Sequence, residues 1–592
     1  MQKNSDKLKK LGVSNLLDLA LLIPKSYENT YLNKTPVLNE FNTLHVKVLR
    51  SNLSRVLSLR FYVEAWEQEI NGVVFSPRPY HRALFKVGES LHVRGKIEWN
   101  QGKISIIQPI VVTQINTILP KYKTPLQNRT MMALIKQYLT CKGLKEEGLS
   151  DEEAEIVMSL HFPSSTSKDS LSEKALRVIK FLEIYNFIKK LSKKKKDFVP
   201  KNKLSSNESD FIQSLPFELT NDQKNTIEDI KKDFNSSKAA RRIVMGDVGS
   251  GKTMVILTSV IMCFPKRAVL MAPTTILAKQ LFEEAKKFLP KQIKSVLVVS
   301  ATSKKEDLSQ YDFIIGTHAL LHRKLPDFDL VMVDEQHRFG TKQRELINQL
   351  SIDEERHPHF LQFSATPIPR TMSMIQSSLV DFSFIKQTPF KKDIDTLIIR
   401  KPDFKNLTEH LKNEIKEGRQ VIVIYPLVEE SETIEYQSIE EARGYWEKNY
   451  KNVFVTFGAD KEKEEVLENF KDSGDILIAT TLVEVGISLP KLSTIVIVGA
   501  ERLGLATLHQ LRGRVSRNGL KGYCFLYTNQ NQSERLDEFK KTNNGFDIAE
   551  LDLRYRKGGD VLGGLRQSGQ KFEYYDMEED ILIEAKRRLG KL

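Results

Sequence analysis

Two long stretches of the chain alternate short apolar runs with amphipathic helical patterns. The first extends from Phe217 to Lys392, and the second extends from Val421 to Tyr527. Apolar runs that are separated by helical segments are typical of buried parallel strands joined by crossover helices. The alternation therefore predicts two α/β domains of similar size, each built on a parallel sheet.

The pattern before residue 200 is different. Leu8 to Asn29 has a short helical periodicity that Pro24 interrupts, whereas short β-rich runs fill Leu44 to Val112, separated by turn signals such as Asn71-Gly72. This length and spacing predict a small β-barrel of the OB type. Helical periodicity returns from Thr130 to Phe198 and ends in a lysine cluster. The cluster is interpreted as a solvated helix end or linker, with direct DNA contact as the alternative.

The most specific motif lies in the first α/β stretch, between a β-prone segment and an apolar helical pattern. It reads Gly246-Asp247-Val248-Gly249-Ser250-Gly251-Lys252-Thr253, which has the G-x-x-x-x-G-K-T spacing of a phosphate-binding loop. Glycines let the backbone N–H groups and the helix N-terminus face the phosphates of a nucleotide. Lys252 is expected to reach the β- and γ-phosphates, and the Thr253 hydroxyl to ligate Mg²⁺.

An acidic pair follows another apolar run downstream. The run ends in Asp334-Glu335-Gln336-His337. A carboxylate at the C-terminal end of a parallel strand lies at the same sheet edge as the phosphate loop, where it can hold Mg²⁺. Asp334 is therefore the candidate metal ligand, and Glu335 is the candidate base that activates the attacking water.

Arginines in the second α/β stretch complete the candidate ATP site. Gln510, Arg514 and Arg517 lie in a Q-x-x-G-R-x-x-R pattern, and cations at the γ-phosphate stabilise the charge of the transition state. If Arg514 and Arg517 act in this way, the site closes only when the two α/β domains approach each other. A solvated basic helix is the alternative interpretation.

Composition narrows the class of protein. The chain has 592 residues, too many for one core, and a net charge of +14 that favours a polyanionic partner, nucleic acid before membrane. Lysine richness of the whole lineage would also explain the charge. The sequence contains neither a membrane-span pattern nor a signal-peptide core, so we expect a cytoplasmic protein. Cys141, Cys263 and Cys524 are far apart and are predicted to be buried, reduced thiols.

The motifs occur in an order that resembles the series of superfamily 2 DExH helicases. The matching segments are Gln223, Gly246–Thr253, Ala272–Thr274, Gly316–His318, Asp334–His337, Ser364–Thr366, Ala479–Pro490 and Gln510–Arg517. The resemblance places Gln223 in the nucleotide site. It also implies that six residues contact the nucleic-acid backbone: Pro273, Thr274, Thr317, His318, Thr480 and Thr481.

Finer features resemble RecG-type DNA helicases. The phosphate loop, Asp334–Gly340 and Ala365–Thr371 are close to the RecG forms, which transcription-repair coupling translocases share. The tail Gly545–Gly569 resembles the helical-hairpin translocation motif common to both groups. In that motif Arg554 and Arg556 would brace the hairpin, and Gln567 would lie on the moving loop. The N-terminal region separates the two groups, because Lys10–Val13, Pro24–Glu28 and Leu119–Tyr122 resemble the borders of the RecG wedge domain.

The RecG resemblance implies a multidomain architecture: an N-terminal OB-like barrel wedge with a helical linker, two RecA-like helicase domains and a helical hairpin. The bounds are expected at 1–118 for the wedge, 119–205 for the linker, 206–394 and 395–530 for the RecA-like domains, and 531–592 for the hairpin and tail. Phe75 and Tyr80 are the candidate wedge aromatics that stack on bases, and ordinary barrel aromatics are the alternative.

Two positions depart from the family pattern. Ser488 stands where the family usually has aspartate, so one link between the nucleotide and DNA sites is altered. The segment Arg554–Asp560 lacks the usual proline of the hairpin-to-loop turn. Neither change removes a group that hydrolysis requires.

The resemblance implies an ATP- and Mg²⁺-dependent DNA helicase and translocase that remodels stalled forks, Holliday junctions or R-loops in recombination and repair. Branched DNA would be its partner, with a single-strand DNA-binding protein as a further one, in the bacterial cytoplasm at the nucleoid. A monomer is expected because the motor pairs its two domains within one chain. An RNA helicase, a coupling-type translocase and a passive junction-binding protein with a degenerate motor remain the alternatives, and Ser488 is the feature that favours the last.

Overall fold

The computed structural model divides the chain into two compact units, residues 1–190 with 572–592 (unit 1) and residues 191–571 (unit 2). The structure describes residues 4–100, 102–164, 171–195, 197–205, 207–300, 302, 306–340, 343, 355–366, 368–390, 392–427, 436–457, 462–480, 489–516, 519–555 and 572–590. Within these ranges, no helix combines the length and the apolar character that crossing a membrane requires.

A closed barrel forms much of the N-terminal part of unit 1. The strands of this unit are β1 (Ser26–Asn29), β2 (Phe41–Leu53), β3 (Leu57–Val63), β4 (Gln68–Val74), β5 (Ser90–Asn100), β6 (Lys103–Val111) and β7 (Ile118–Lys121). The barrel order is β2-β3-β4-β6-β5, and β5 closes it by pairing with β2. Only the β4–β6 pair among these barrel strands is parallel. This topology confirms the predicted OB-like barrel.

Alternation of side chains explains the barrel core. On β3, Leu57, Leu59, Phe61 and Val63 are buried while the residues between them are exposed or half-buried. Successive side chains of a strand point to opposite faces, so this alternation places one row inside the barrel. Gly95 lies at a register shift of β5, where a Cβ would be only 2.8 Å from the backbone oxygen of Ile107.

Unit 1 also contains helices. They are α1 (Ser5–Lys10), α2 (Leu16–Ala20), α3 (Pro79–Leu84), α4 (Asn128–Tyr138), α5 (Cys141–Glu146), α6 (Asp151–His161), α7 (Glu173–Lys194) and, from the end of the chain, α19 (Glu579–Arg588). The helical unit that the sequence predicted from Leu8 to Asn29 is in fact two short helices, α1 and α2, because Gly12 adopts a left-handed conformation (φ 69°) between them. The end of the predicted unit is not helical, since Ser26–Asn29 is strand β1.

The last described segment of the chain binds to the long helix α7. Glu183 accepts hydrogen bonds from three consecutive backbone N–H groups, those of residues 573, 574 and 575, at 2.7, 2.9 and 2.8 Å. Lys180 pairs with Glu578 at 2.6 Å, and Arg177 pairs with Asp580 at 2.6 Å. Residues 572–590 thereby complete the helical part of unit 1.

A buried histidine connects three segments of unit 1. His161, at the end of α6, places Nε2 2.9 Å from the carbonyl oxygen of Ala20 and Nδ1 2.9 Å from the hydroxyl of Tyr122. Since a carbonyl only accepts, Nε2 carries the proton and Nδ1 accepts from Tyr122. Burial lowers the pKa of His161 to about 4. The ring is therefore neutral at physiological pH.

Unit 2 contains the two predicted parallel sheets. Its strands are β8 (Arg241–Gly246), β9 (Ala268–Met271), β10 (Ser295–Val298), β11 (Phe313–Gly316), β12 (Leu330–Asp334), β13 (His359–Ser364), β14 (Asp381–Ile385), β15 (Ile394–Ile399), β16 (Gln420–Tyr425), β17 (Val453–Thr456), β18 (Ile476–Thr480), β19 (Leu492–Val498) and β20 (Gly522–Tyr527). The first sheet has the order β10-β11-β9-β12-β13-β8-β14, and the second has the order β15-β20-β19-β16-β18-β17. The strands pair in parallel throughout both orders, which confirms the two α/β domains.

Helices accompany both sheets of unit 2. They are α8 (Ser209–Ser214), α9 (Asn221–Asn235), α10 (Lys252–Cys263), α11 (Thr275–Phe288), α12 (Arg370–Gln376), α13 (Phe404–Lys416), α14 (Ile439–Asn449), α15 (Lys463–Ser473), α16 (Leu505–Arg512), α17 (Glu534–Lys541) and α18 (Gly545–Tyr555). Strand β12 is buried over its whole length: Leu330 and Met332 belong to one core, and Val331 and Val333 to another. Burial of both faces explains why this strand is an uninterrupted apolar run in the sequence.

Two of the three cysteines follow the sequence prediction. Cys263 and Cys524 are buried, and burial raises the pKa of both thiols, that of Cys524 to about 12. Cys141, at the start of α5, is only half-buried, contrary to the prediction. Its position at the first residue of a short helix leaves one side of the thiol uncovered.

A buried arginine fixes helix α9 to the first sheet of unit 2. Arg242 on β8 donates to both carboxylate oxygens of Asp233 on α9, at 2.7 and 3.1 Å. It also donates to the hydroxyl and to the preceding carbonyl at Ser383 on β14, at 2.9 and 3.1 Å. Ser383 in turn donates to Asp229 of α9 at 2.7 Å. This network holds the C-terminal half of α9, which carries Asp229 and Asp233, against β8 and β14.

Candidate ATP site and DNA-contact segments

The phosphate loop connects β8 to α10, as the sequence predicted. Gly249 and Gly251 have φ angles of 78° and 77°, which residues with a Cβ rarely adopt. A Cβ on Gly246 would lie 2.3 Å from the Ser250 hydroxyl, so the turn also lacks space for a side chain there. The loop ends at the first residue of α10, where the backbone N–H groups of a helix N-terminus attract phosphate.

Lys252 folds back over this loop. Its ammonium group donates to the carbonyl of Gly246 at 2.7 Å and to that of Asp247 at 3.2 Å. Thr253, the next residue of α10, is half-buried. Both side chains therefore lie where a bound nucleotide would meet the loop.

The acidic pair lies at the C-terminal end of β12. In the sheet, β13 separates this strand from β8, so the carboxylates and the phosphate loop share one edge. Burial and the neighbouring charge of Glu335 raise the pKa of Asp334 to about 7, while Lys252 acts in the opposite direction. Among the described residues, no hydrogen-bond donor contacts the buried Oδ1 of Asp334. Carboxylate and hydroxyl oxygens suit Mg²⁺, so Asp334 and Thr253 fit the role of its protein ligands.

Glu335 connects the acidic pair to the next strand. Its backbone is in the left-handed region, with φ 48°, which is uncommon for a residue with a side chain and is found more often at active sites. Its Oε1 accepts a hydrogen bond from the backbone N–H of Ala365 at 2.6 Å. The hydroxyls of Ser364 and Thr366 lie 2.8 Å apart on the same turn. A shift of Glu335 would therefore be transmitted directly to this turn.

One cavity of about 680 Å³ collects the site residues of both domains of unit 2. Lys252, Thr253, Asp334 and Glu335 line it from the first domain, and Gln510 and Arg514 from the second. Gln510 also accepts from Arg338 at 3.4 Å, which connects the acidic strand to α16. The predicted finger Arg517 lies outside the described residues.

Gln223 lies in the first turn of α9, where it forms a capping box with Thr220. The side chain is buried, and its amide donates to the carbonyl of Ser250 at 2.9 Å. A Cβ on Gly251 would lie 2.3 Å from the same amide nitrogen. Gln223 thus contacts the phosphate loop itself.

Comparison with known proteins decides which family this ATP site belongs to. The family model "DEAD/DEAH box helicase" matches residues 220–375, and "Helicase conserved C-terminal domain" matches residues 403–519. The ATP-dependent DNA helicase RecG of Helicobacter pylori is 44% identical over 610 aligned residues, which cover 99% of this chain and 98% of that protein. The chain belongs to the RecG family of ATP-dependent DNA helicases.

More distant members of the RecG family align over nearly the same length. The Streptococcus pneumoniae protein is 33% identical, with 99% of this chain and 93% of that protein covered. The Thermotoga maritima protein is 30% identical, with 98% and 80% covered. A solved structure of RecG bound to a three-way DNA junction superposes with a TM-score of 0.58 and 27% identity, over 100% of this chain and 84% of that chain. The predicted fold and the ATP-hydrolysing helicase activity are thereby confirmed.

The segments that the superfamily 2 helicase resemblance assigned to the nucleic-acid backbone lie near strand ends of the two sheets. Thr274 caps α11 by accepting from the N–H of Leu277 at 3.3 Å, and the preceding Pro273 lines the ATP cavity. Thr317 follows β11 and is buried, whereas the neighbouring His318 is exposed. The residue at the end of β18 is Thr480, which is buried. Thr481, Ser488, Arg556 and Gln567 lie outside the described residues.

The two candidate wedge aromatics are exposed. Phe75 follows the end of β4, and Tyr80 lies on α3; their exposed fractions are 54% and 53%. The ring of Tyr80 lies 4.2 Å from that of His81, measured between centroids. Neither aromatic belongs to the barrel core, so both are accessible to a ligand.

Sequence reasoning missed a contact between the two domains of the RecG motor. The Asp247 side chain lies 2.7 Å from the imidazole of His509 on α16, although the two residues are 262 positions apart. Asp247 had been assigned to nucleotide binding only as part of the loop, and His509 was not singled out. No local spacing relates them, so only the position of His509 beside the Gln510–Arg514 motif could have drawn attention to it.

Proposed function

We propose that this RecG-family helicase remodels branched DNA by moving duplex arms while its barrel holds the branch. The observation that carries the proposal is the single cavity lined by Lys252, Glu335 and Arg514, because its two sides come from two α/β domains. Hydrolysis that needs groups from both domains is coupled to their relative movement. The RecG relative solved with a three-way DNA junction supports branched DNA as the substrate.

The ATP-site roles follow from position and chemistry. Lys252 would bind the β- and γ-phosphates, and Thr253 and Asp334 would hold Mg²⁺, which neutralises charge on the transferred phosphoryl group. Glu335 would orient and activate water as the general base. Gln223 would contribute to nucleotide binding together with the backbone of residues 246–251. Lys252, Thr253, Asp334 and Glu335 lie at or beyond strand ends at one edge of the first sheet, and Gln223 reaches the loop from α9.

The residues of the second domain would act on the developing negative charge. Arg514 lines the cavity, and with Arg517 it would stabilise the γ-phosphoryl group in the transition state. Gln510, which accepts from Arg338, would help to align the two domains. Without these groups we expect ATP binding to persist and turnover to fall.

DNA contacts would be made mostly to the backbone. Pro273, Thr274, Thr317, His318, Thr480 and Thr481 are proposed to contact phosphates, with Gln567 on the moving loop of the hairpin. The hydroxyls of the threonines suit sequence-independent contacts of this kind. A motor that moves along any sequence needs such contacts.

The barrel would act at the branch point. Phe75 and Tyr80 are exposed on one segment that follows β4, and each could stack on a base. Base stacking is worth roughly 1–3 kcal/mol per base and is tolerant of sequence. The proposal further includes a single-strand DNA-binding protein as a partner, a monomeric motor and action at the bacterial nucleoid.

Steady-state ATPase activity tests the motor. We expect the strongest stimulation by a three-way fork, less by linear duplex or single strands, and least by matched RNA. Lys252→Ala should abolish turnover while fork binding persists, because the phosphate contact is lost and the DNA segments are unchanged. Equal stimulation by RNA and by the fork, or undiminished turnover in Lys252→Ala, would refute the proposal.

Fork unwinding tests the barrel separately. The double variant Phe75→Ala with Tyr80→Ala should unwind forks poorly and keep its DNA-stimulated ATPase, because stacking is lost and the motor is intact. Phe41→Ala is the matched control, since Phe41 is 59% exposed on the same barrel but outside this segment. Normal unwinding by the double variant would mean that other residues hold the branch.

A further inference from the structure

The carboxylate of Asp247 joins three separate parts of unit 2. Its Oδ1 accepts from the N–H of Val248 at 2.6 Å and lies 2.7 Å from Nε2 of His509 on α16. Its Oδ2 accepts from the N–H of Gly545, the first residue of α18, at 3.1 Å. Asp247, His509 and Gly545 are all buried. A single side chain of the phosphate loop thus contacts both α16 of the second domain and α18. Helices α17 and α18 lie in the segment 531–592 that is expected to form the hairpin, and the two are called the C-terminal hairpin below.

The hydrogen-bond partners determine the protonation of this cluster. Arg512 places Nη2 3.2 Å from Nδ1 of His509, and a guanidinium can only donate. Nδ1 therefore accepts, and Nε2 donates its proton to Asp247. Burial lowers the pKa of His509. Burial would raise the pKa of Asp247, but its hydrogen bonds and the nearby cation of Lys392 hold it well below the usual range. The pair consists of a neutral imidazole and an ionised carboxylate.

Arg512 extends the contact to the other helix of the hairpin. It donates to the carbonyls of Phe539 and Thr542 at 3.2 and 2.7 Å, at the C-terminal end of α17. Its guanidinium also lies 4.2 Å from the centroid of the Phe539 ring. The phosphate loop therefore reaches α18 directly through Gly545 and reaches α17 through His509 and Arg512.

Two glycines show how closely these parts approach. A Cβ on Gly545 would lie 2.8 Å from Nε2 of His509 and 2.9 Å from the Asp247 carboxyl carbon. A Cβ on Gly513 would lie 3.0 Å from Cβ of Val248. Distances this short leave no space for a larger residue. The backbones at Gly545 and Gly513 therefore pack directly against the phosphate loop, beside the side-chain contact of His509.

Nucleotide binding would act on this contact from the other side of the loop. Lys252 donates to the carbonyls of Gly246 and Asp247, and a bound triphosphate would draw its ammonium towards the β- and γ-phosphates. The loop N–H groups would turn towards the same phosphates. The carbonyls of Gly246 and Asp247 would then lose their lysine partner, so the carboxylate of Asp247 on the same loop would be free to shift.

We propose that Asp247 and His509 are positioning residues that transmit the state of the phosphate loop to the C-terminal hairpin. The route runs through the Asp247–Gly545 bond to α18 and through Asp247–His509–Arg512 to α17. It rests on the proposed function in so far as the hairpin moves DNA. The route needs neither the arginine fingers nor the DNA-contact segments, so it couples ATP to the hairpin independently of them.

Two substitutions of His509 test whether a hydrogen-bond donor is needed at the position of Nε2, or whether any polar side chain is sufficient. The amide nitrogen of glutamine reaches about as far as Nε2 of histidine, whereas asparagine reaches only as far as Nδ1. We expect His509→Asn to reduce base pairs unwound per ATP at least about fivefold, with DNA-free ATPase within about twofold of wild type. His509→Gln should keep at least about half of the coupling. Equal losses in both variants, or no loss in His509→Asn, would overturn the proposal.

Hydrogen exchange of residues 545–555 gives a readout that needs no DNA. In the wild type, a non-hydrolysable ATP analogue with Mg²⁺ should change the protection of this segment, and His509→Asn should abolish the change. His410→Asn is the matched control, because His410 lies on α13 and contacts Thr494 at 3.1 Å instead. An unchanged nucleotide response in His509→Asn would refute the route. A wild type that fails to unwind forks would refute only the proposed function.

Discussion

Replacement of Arg242 should loosen helix α9 and, with it, the contact of Gln223 with the phosphate loop. The guanidinium is 10% exposed and forms a bidentate pair with Asp233 as well as two hydrogen bonds at β14. Removal of one partner from a buried ion pair typically costs about 3–5 kcal/mol, because the other charge stays buried without compensation. We therefore expect Arg242→Met to destabilise α9 by about that amount. Arg242→Lys should recover part of it, since lysine cannot form the bidentate fork.

Hydrogen exchange measures this effect locally. The opening free energy of peptides from Asn221–Asn235 should fall in Arg242→Met, and the KM for ATP should rise because Gln223 lies in the first turn of the same helix. The control is Arg443→Ala, whose ion pair with Glu447 is exposed and should contribute less than about 1 kcal/mol. Peptides from the second sheet should be unaffected in both variants.

A second substitution tests whether the unpaired carboxylate of Asp233 causes the loss of stability. If the loss arises from the uncompensated carboxylate, Asp233→Asn in the Arg242→Met background should restore about 1 kcal/mol or more. An Arg242→Met variant no less stable than Arg443→Ala would contradict the role of the buried pair. A further loss of stability on adding Asp233→Asn would contradict it as well.

Three further predictions concern stability. Gly95→Ala should destabilise the barrel by about 1–3 kcal/mol in urea unfolding followed by tryptophan fluorescence, because the new Cβ would press on the carbonyl of Ile107; an unchanged midpoint would contradict the crowding. The pKa of His161 is about 4 in the folded protein and 6.5 for the free side chain, so the unfolded chain binds this proton more readily. The free energy of unfolding of unit 1 should therefore be unaffected by this group above pH 6.5 and fall by up to about 3 kcal/mol as the pH falls towards 4. His161→Gln should remove that part of the slope in denaturation curves recorded across the range, and an unaltered slope would show that other groups cause it. Tyr425→Phe should cost about 1–3 kcal/mol, measured by exchange in the second domain, because the buried Trp446 N–H donates to that hydroxyl at 2.9 Å; a neutral result would mean that water replaces it.

Local patterns were sufficient to predict the elements that carry the chemistry. The phosphate loop has its glycines where the backbone needs positive φ, and the apolar run before Asp334 is a strand buried on both faces. Such features depend on residues adjacent in sequence, so they are visible without a structure. The barrel was predictable for the same reason, since alternation on β3 directly marks its inner face.

The order in which distant strands pair could not be predicted. The order of strands in the first sheet places β13 between β12 and β8, and nothing in the three apolar runs encodes that neighbourhood. The parallel β4–β6 pair that helps to close the barrel is likewise a long-range choice of register. The Asp247–His509 contact shows the same limit at the site, because a lone histidine in a helix has many uses. Only the three-dimensional structure shows which of these uses applies to His509.

The attachment of residues 572–590 to α7 has a consequence for biosynthesis. The N–H groups that satisfy Glu183 are about 390 residues further along the chain, so a ribosome completes the whole of unit 2 before they emerge. Until then, Glu183, Lys180 and Arg177 on α7 lack these partners. The first residues of unit 1 therefore emerge first and its fold is completed last, whereas unit 2 can fold as a continuous insertion between its two parts. A nascent chain would expose this face of α7 to chaperones for the entire time that the motor takes to be synthesised.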